Sequence, residues 1–534
     1  MKIYNRNKSV KTLVAICAMA VCAMTFHSCE QFELDEVPGR ANLAVEPYNS
    51  IDELELAVNG IFGKLNKAAW MTTFYVNGWA GDDMTTHRES NKADFREYDQ
   101  RNVAATNGRS ATNWAGVYAM VKAANTVIIN SEGVDFPSAA ARQKELLGQT
   151  YFLRGLMFYH LARVHGRIVL PLDLEIDFER ELATQEEVYQ QIESDMLTAE
   201  TMLPAKTNVG ASDPNSGSAR AILARLYLDW AGYPVKDASK YAMAAASAKQ
   251  VMNNAGTHGF ALVPDMATLY TVEGRFNTES IFTIAYCASC GLPNRKNGKL
   301  GLPSDYTTQG WQETFAEIRY FEDMPEGPRK DATYHTEIPL DGPLPGPADP
   351  DQKSRATSDV AEAVSFLPWT SFVDQAQPVF RKIVGPFEEG TFSGFQSDRN
   401  DYYMRYAELL LIYAEASGEA GTAGADAWQA LNDVRNRAGL ADVSAADGTI
   451  QDLAYLERKW ELAGEYLRYN DLVRKEQVEA ALGGTARDPR VSINTLTDQP
   501  ITKETNAIIG STAPSNYFAP RPQPEVDRNP NLAN

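Results

Sequence analysis

Apolar residues recur at helical spacing along this chain, and the segments that carry them come in neighbouring pairs joined by short turns. Residues 51–67 open the series, with Ser50 placed to cap and Glu53 three residues on to complete a capping box. Segments follow at 111–131, 142–165, 184–203, 217–231 and 237–254, then at 402–417, 425–438 and 451–475. Pro204 stops one of them, and a Gly-Tyr-Pro turn divides 217–231 from 237–254. Ala242, Ala244, Ala245, Ala246 and Ala248 are small enough to let that last helix approach its neighbours closely. Helix, short turn, helix, repeated, is the pattern of tetratricopeptide-type solenoids, here degenerate and interrupted. The expected fold class is mainly α, an α-solenoid with few short strands.

Between 255 and 400 the texture changes. Helical periodicity fades while Pro, Gly and aromatic residues rise. The stretch "ESIFTIAY" (279–286) reads as a short strand, and "IPLDGPLPGPADPDQ" (338–352) reads as a loop. A long irregular insertion on a helical frame is where binding residues concentrate.

The N-terminus reads as an export signal. Lys2, Arg6, Lys8 and Lys11 precede an apolar run, 12–26, too short to span a bilayer comfortably. Ser28 then stands before Cys29, the arrangement of a bacterial lipoprotein signal cleaved ahead of a lipidated cysteine, although Phe26 departs from the usual Leu. Residues 1–28 are assigned to the signal, 29–48 to a lipidated tether, and 49–534 to a single domain. Within that domain, 49–254 is the N-terminal helical part, 255–400 the loop-rich insertion, and 401–534 the C-terminal helical part and closing segment. Formal charge is −20, and removal of the signal leaves 46 basic against 70 acidic residues. A chain this acidic lacks the clustered Lys and Arg that nucleic acid requires. Cys287 and Cys290 form a lone "CASC", a weak zinc signal that leaves a local disulfide or two thiols open.

One stretch, "ERKWELAGEYLRYNDLVR" (457–474), mixes acids, bases and aromatics densely enough to suggest either a catalytic carboxylate cluster or an ion-paired helix. On one helix, Leu456, Trp460, Ala463 and Leu467 form an apolar stripe. Glu465 and Arg468, and Arg468 and Asp471, become surface neighbours that neutralise one another. A glycosidase pair instead needs two carboxylates facing a cleft. The structural reading is favoured. His160 and His165 are five apart and do not share a helix face as metal ligands would. A hydrolase reading would draw on acids of the insertion such as Asp305 and Glu313.

The same stretch resembles the C-terminal signature of the SusD/RagB family of outer-membrane lipoproteins. "DYYMRYAELLLIYAEA" (401–416), "LNDVRNRAGL" (431–440), "TYFLRGLMFYHLARVHGRIVLP" (150–171), "ARAILARLYLDWAG" (219–232) and "PRPQPEVDRNPNL" (520–532) are similar to further family segments in the same order. Asn470, and Gly166-Arg167 in place of Gly-Gly, depart from the pattern within the scaffold. The resemblance implies four tetratricopeptide-like helix pairs carrying a loop-rich ligand face. It implies a lipid anchor at the cell surface and a SusC-type TonB-dependent transporter as partner. It implies an oligosaccharide or peptide ligand, no cofactor, and no chemistry on the ligand.

Sugars are held by aromatic rings under their C–H faces with polar groups aimed at hydroxyls, each ring adding about 0.5–1.5 kcal/mol by analogy with aromatic pairs. Two irregular stretches offer such residues in regions where the resembling family binds ligand. The first, 70–88, carries Tyr75, Asn77, Trp79, Asp82 and Asp83; the second, 302–315, carries Tyr306, Gln309 and Trp311. Trp369, in "LPWTSF", is a third candidate. Trp70, Phe74, Trp114, Trp230, Trp428 and Trp460 are assigned to the core. Asp82 and Asp83 show no EF-hand spacing, so no metal is assigned.

Overall fold

Ser50 caps the first helix: its hydroxyl accepts the Glu53 N–H at 3.2 Å, while the Glu53 carboxylate reaches past Ser50 to the Asn49 N–H at 2.8 Å. Helix α1 (Ile51–Ala69) then buries Leu54, Val58, Ile61 and Leu65, one stripe at i, i+4, i+7 and i+11. The computed structural model describes residues 46–69, 73–87, 93–207, 212–296, 301–303, 313–339, 366–372, 375–389, 396–491 and 508–533. Residues 1–45, including Cys29, lie outside them.

The helical frame continues with α2 (Gly108–Asn130), α3 (Ala140–His165), α4 (Gln185–Met202), α5 (Ser216–Ala231) and α6 (Lys240–Asn253). Each packs against the next, so consecutive helices build one apolar core. Thr184 and Glu187 form a reciprocal capping box that starts α4. Gly155 lets α3 and α4 touch, since a Cβ there would sit 3.0 Å from the Asp195 Cβ. Of the alanines expected to line α6, Ala244, Ala245 and Ala248 are buried, whereas Ala242 and Ala246 face solvent on the helix's outer side.

After the insertion the chain returns to the frame. The segment expected to be helical from 402 begins as a strand: Asp401–Arg405 pairs antiparallel with Ser280–Ile284, and helix α7 (Tyr406–Glu419) starts only beyond it. Helix α7 packs on α6, and α8 (Ala425–Arg437) and α9 (Ile450–Glu461) pack on α7. Strands are numbered β1 (Met84–Thr85), β2 (Ser280–Ile284), β3 (Phe315–Ala316), β4 (Tyr334–His335), β5 (Glu337–Pro339), β6 (Phe366–Pro368), β7 (Val379–Phe380) and β8 (Asp401–Arg405). They form two-stranded ladders β1–β3, β2–β8, β4–β7 and β5–β6. The insertion is thus stitched by short ladders over small apolar clusters of its own.

The stretch expected to be a single helix, 451–475, is broken. Helix α9 ends at Glu461 and α10 (Arg468–Arg474) begins seven residues later. Gly464 (φ 76°) and Tyr466 (φ 61°) turn the chain between them. The pairs expected between Glu465 and Arg468 and between Arg468 and Asp471 give way to others, long-range for Glu465 and Arg468. Glu465 meets Arg405 and Lys382, Arg468 meets Asp82, and Asp471 meets Arg458 and Arg474. Arg405 also pairs with Glu279 and Glu461. Leu456, placed in the apolar stripe, points outward. The acids of this stretch are therefore buried struts between helices and insertion.

Candidate functional site

The turn that separates α9 from α10 drives Tyr466 against residues 73–80, a 3-10 segment following α1. Tyr466 stacks on Tyr75 with ring centroids 4.7 Å apart and planes at 16°. Gly78 makes room for it, because a Cβ there would lie 2.5 Å from the Tyr466 ring. A bulky residue at positive φ is strained by of order 1–3 kcal/mol and persists only where its surroundings over-determine it.

A solvent-accessible cleft opens beside this pair. Its walls come from Tyr75, Tyr466, Tyr270, Tyr402, Asn294 and Lys296, together with residues 399–401, 382–383 and 464–465. Lys296 Nζ lies 4.4 Å from the Tyr75 ring centroid and is ion-paired with Asp401. Asp401 also accepts from the Tyr286 hydroxyl at 2.8 Å and from Asn294 Nδ2 at 3.2 Å. Arg399 is buried behind them, donating Nη2 to the Ile383 carbonyl at 2.9 Å. Burial lowers the Lys296 ammonium below the ordinary lysine value despite Asp401. Burial first, then Asp401, hold the Tyr75 and Tyr466 phenols well above their ordinary value, so both remain O–H donors. The Tyr466 hydroxyl is buried with no hydrogen-bond partner among the described residues, and the Tyr75 hydroxyl is buried beside the Asp401 carboxylate. An unmet buried polar atom costs about 1–3 kcal/mol and calls for water or a ligand group.

The structure redistributes the sequence candidates. Tyr75 lines the cleft, and Asn77 lies behind it, donating to Asn470 Oδ1 at 3.2 Å. Trp79, expected as an exposed platform, is fully buried, stacked on Phe95 at 4.3 Å and donating Nε1 to the Glu313 carbonyl at 3.1 Å. The segment that carries it is roofed by Tyr466 and by the chain leading into β3, which leaves no ring face for a sugar. Asp82 and Asp83 are also enclosed, the first by Arg468 and the second against the Gly464 N–H at 2.9 Å. Trp369 is buried under the insertion's own core. Tyr306, Gln309 and Trp311 lie outside the described residues, as does Trp70. Phe74, Trp114, Trp230 and Trp460 are buried and Trp428 is partly so.

Sequence reasoning missed Tyr466, Tyr402, Lys296 and Asp401. Gly464, a breaker inside an otherwise helical pattern, was the signal that could have exposed Tyr466. Cys287 and Cys290 form a disulfide in the turn before Asn294. Among the described residues no group of His, Cys, Asp and Glu is arranged to hold a metal ion, and no helix is long and apolar enough to cross a membrane.

This helical frame with a loop-rich insertion defines a SusD-type protein, and the chain belongs to the SusD/RagB family. The SusD family matches residues 374–534, and a family described as starch-binding, associating with outer membrane, matches residues 38–228. SusD-like protein P2 of Formosa agariphila is 26% identical, spanning 96% of this chain and 97% of that protein. A SusD homologue of Bacteroides thetaiotaomicron superposes with a TM-score of 0.70 at 21% identity, over 91% of this chain and 97% of the other. A laminarin-binding SusD-like protein also gives 0.70 at 21% identity, over 91% and 98%. A structure described with xylogluco-oligosaccharide gives 0.69 at 19% identity, over 90% and 97%.

Proposed function

We propose that this chain is an outer-membrane glycan-binding lipoprotein, anchored through acylated Cys29 at the cell surface, which passes oligosaccharide to a SusC-type TonB-dependent transporter. The observation that carries the reading is the cleft walled by the rings of Tyr75, Tyr466, Tyr270 and Tyr402, with Asn294 and Lys296 among its polar lining. Sugar hydroxyls suit the polar groups of that lining, and the surrounding tyrosine rings suit pyranose C–H faces. The laminarin and xylogluco-oligosaccharide named for structural neighbours support the ligand class. The cleft's carboxylates, Asp401 and Glu465, are engaged by Lys296, Lys382 and Arg405, which favours holding a ligand over acid–base chemistry on it. Tyr306, Gln309 and Trp311 are proposed as further contacts, their segment being bracketed by buried Pro303 and Glu313.

Calorimetric titration with laminarin, xyloglucan and starch oligosaccharides tests the reading. Binding by at least one glycan, weakened by Trp311→Ala, is the expected result, and no binding to any of them defeats it. Loss of labelled palmitate incorporation in Cys29→Ala tests the anchor.

A further inference from the structure

A second crevice shares no lining residue with the first cleft and, with its mouth, holds about 860 Å³ of empty space. It lies where the start of α5 meets β2. The Ser218 hydroxyl donates to the Ile281 carbonyl at 2.6 Å and ties those two elements together. Asn215 Nδ2 holds the rim by donating to Thr207 Oγ1 at 3.3 Å and to the His258 carbonyl at 3.4 Å. The His258 ring rests on the helix start, where Gly217 is required: a Cβ there would lie 2.5 Å from it. The walls are therefore fixed by contacts within the frame.

The chemistry of the lining selects a ligand class. Hydroxyl and amide side chains predominate, from Thr207, Asn215, Asn277 and Thr278 among others. Lys206 and Asp213 supply one charge of each sign, so the lining is neutral overall and offers no preference for an anion. Phe276 stands at the rim with 40% of its surface exposed and the Arg275 guanidinium 5.4 Å from its ring centroid. An exposed ring beside a polar crevice of no net charge is complementary to an uncharged polyol, whose C–H face covers the ring while its hydroxyls meet the polar rim.

We propose that this crevice is a second subsite for a neutral oligosaccharide, with Phe276 as its platform. The proposal rests on the reading that the chain binds glycans. Two subsites on one rigid frame raise the effective concentration of a long polysaccharide at each, so polymer is held more tightly than short oligosaccharide.

The test titrates the whole mature protein with neutral xylogluco- and laminari-oligosaccharides and with the parent polysaccharides, comparing wild type with Phe276→Ala and Phe276→Trp. The expected result is two oligosaccharides per wild-type chain and one per Phe276→Ala chain. Polysaccharide affinity should fall by about tenfold or more in Phe276→Ala and recover in Phe276→Trp. Unchanged stoichiometry and polymer affinity in a folded Phe276→Ala overturns the second subsite while leaving the glycan reading intact. Failure of wild type to bind any of these glycans removes both.

Discussion

Arg468 Nε donates to Asp82 Oδ1 at 2.6 Å across 386 residues of sequence, joining the first turn of α10 to the segment that follows α1. Both side chains are buried, so the pair is a strut between the two ends of the fold. Removing one member of such a pair leaves the other charge uncompensated, at a cost of about 3–5 kcal/mol. Arg468→Ala is expected to lower the urea midpoint correspondingly, and a midpoint equal to wild type would refute the strut.

Asp82 and Asp83 are adjacent yet respond to pH in opposite senses. Burial raises the Asp82 carboxyl, but Arg468 and Lys459 more than reverse this and hold it below the usual range. Burial pushes Asp83 up to about 7, with the Gly464 N–H only partly opposing it. The stability Asp82 contributes is present above the unfolded value of about 4 and is lost as pH falls through its lower folded value. That of Asp83 is present below about 4 and is lost as pH rises through about 7. Asp83→Asn should therefore raise the melting temperature at pH 8 and change it little at pH 4. Asp82→Asn should lower it at pH 8. Parallel shifts in the two variants would contradict the assignment.

Trp79→Ala removes a fully buried indole with its stack on Phe95 and its bond to Glu313. Large-to-small changes of this kind cost about 3–5 kcal/mol. The effect belongs in the unfolding curve. A wild-type melt with a selective loss of glycan affinity would return Trp79 to the ligand site.

Tyr466→Phe keeps the ring, its stack on Tyr75 and its backbone, and deletes only the unpartnered hydroxyl. Stability should hold or rise slightly. If the hydroxyl donates to a sugar, affinity should fall about fivefold, the worth of roughly 1 kcal/mol for one hydrogen bond. Equal affinity in titration calorimetry would show that the hydroxyl meets water.

The helices were readable because their signal is local. Leu54, Val58, Ile61 and Leu65 repeat at a spacing that one short window contains. The partners of Glu465 and Arg468 were not, since each lies on an element far along the chain and no window spans them. The glycines at 78 and 81 and the absence of periodicity made residues 70–88 look like an open loop. The cover over them is supplied by Tyr466 and Arg468, hundreds of residues later, after a turn that helical spacing concealed. Of the candidates in that stretch Tyr75 lines the cleft, while the rings around it belong to other parts of the chain.

The β2–β8 ladder sets Ile284 opposite Asp401, so the long excursion between them leaves and re-enters the frame at one doorway. With the doorway fixed, lengthening a flexible part of the excursion adds only about 0.6 kcal/mol of closure entropy per doubling. Insertions or deletions in the excursion can therefore be absorbed while α6 and α7 stay in register.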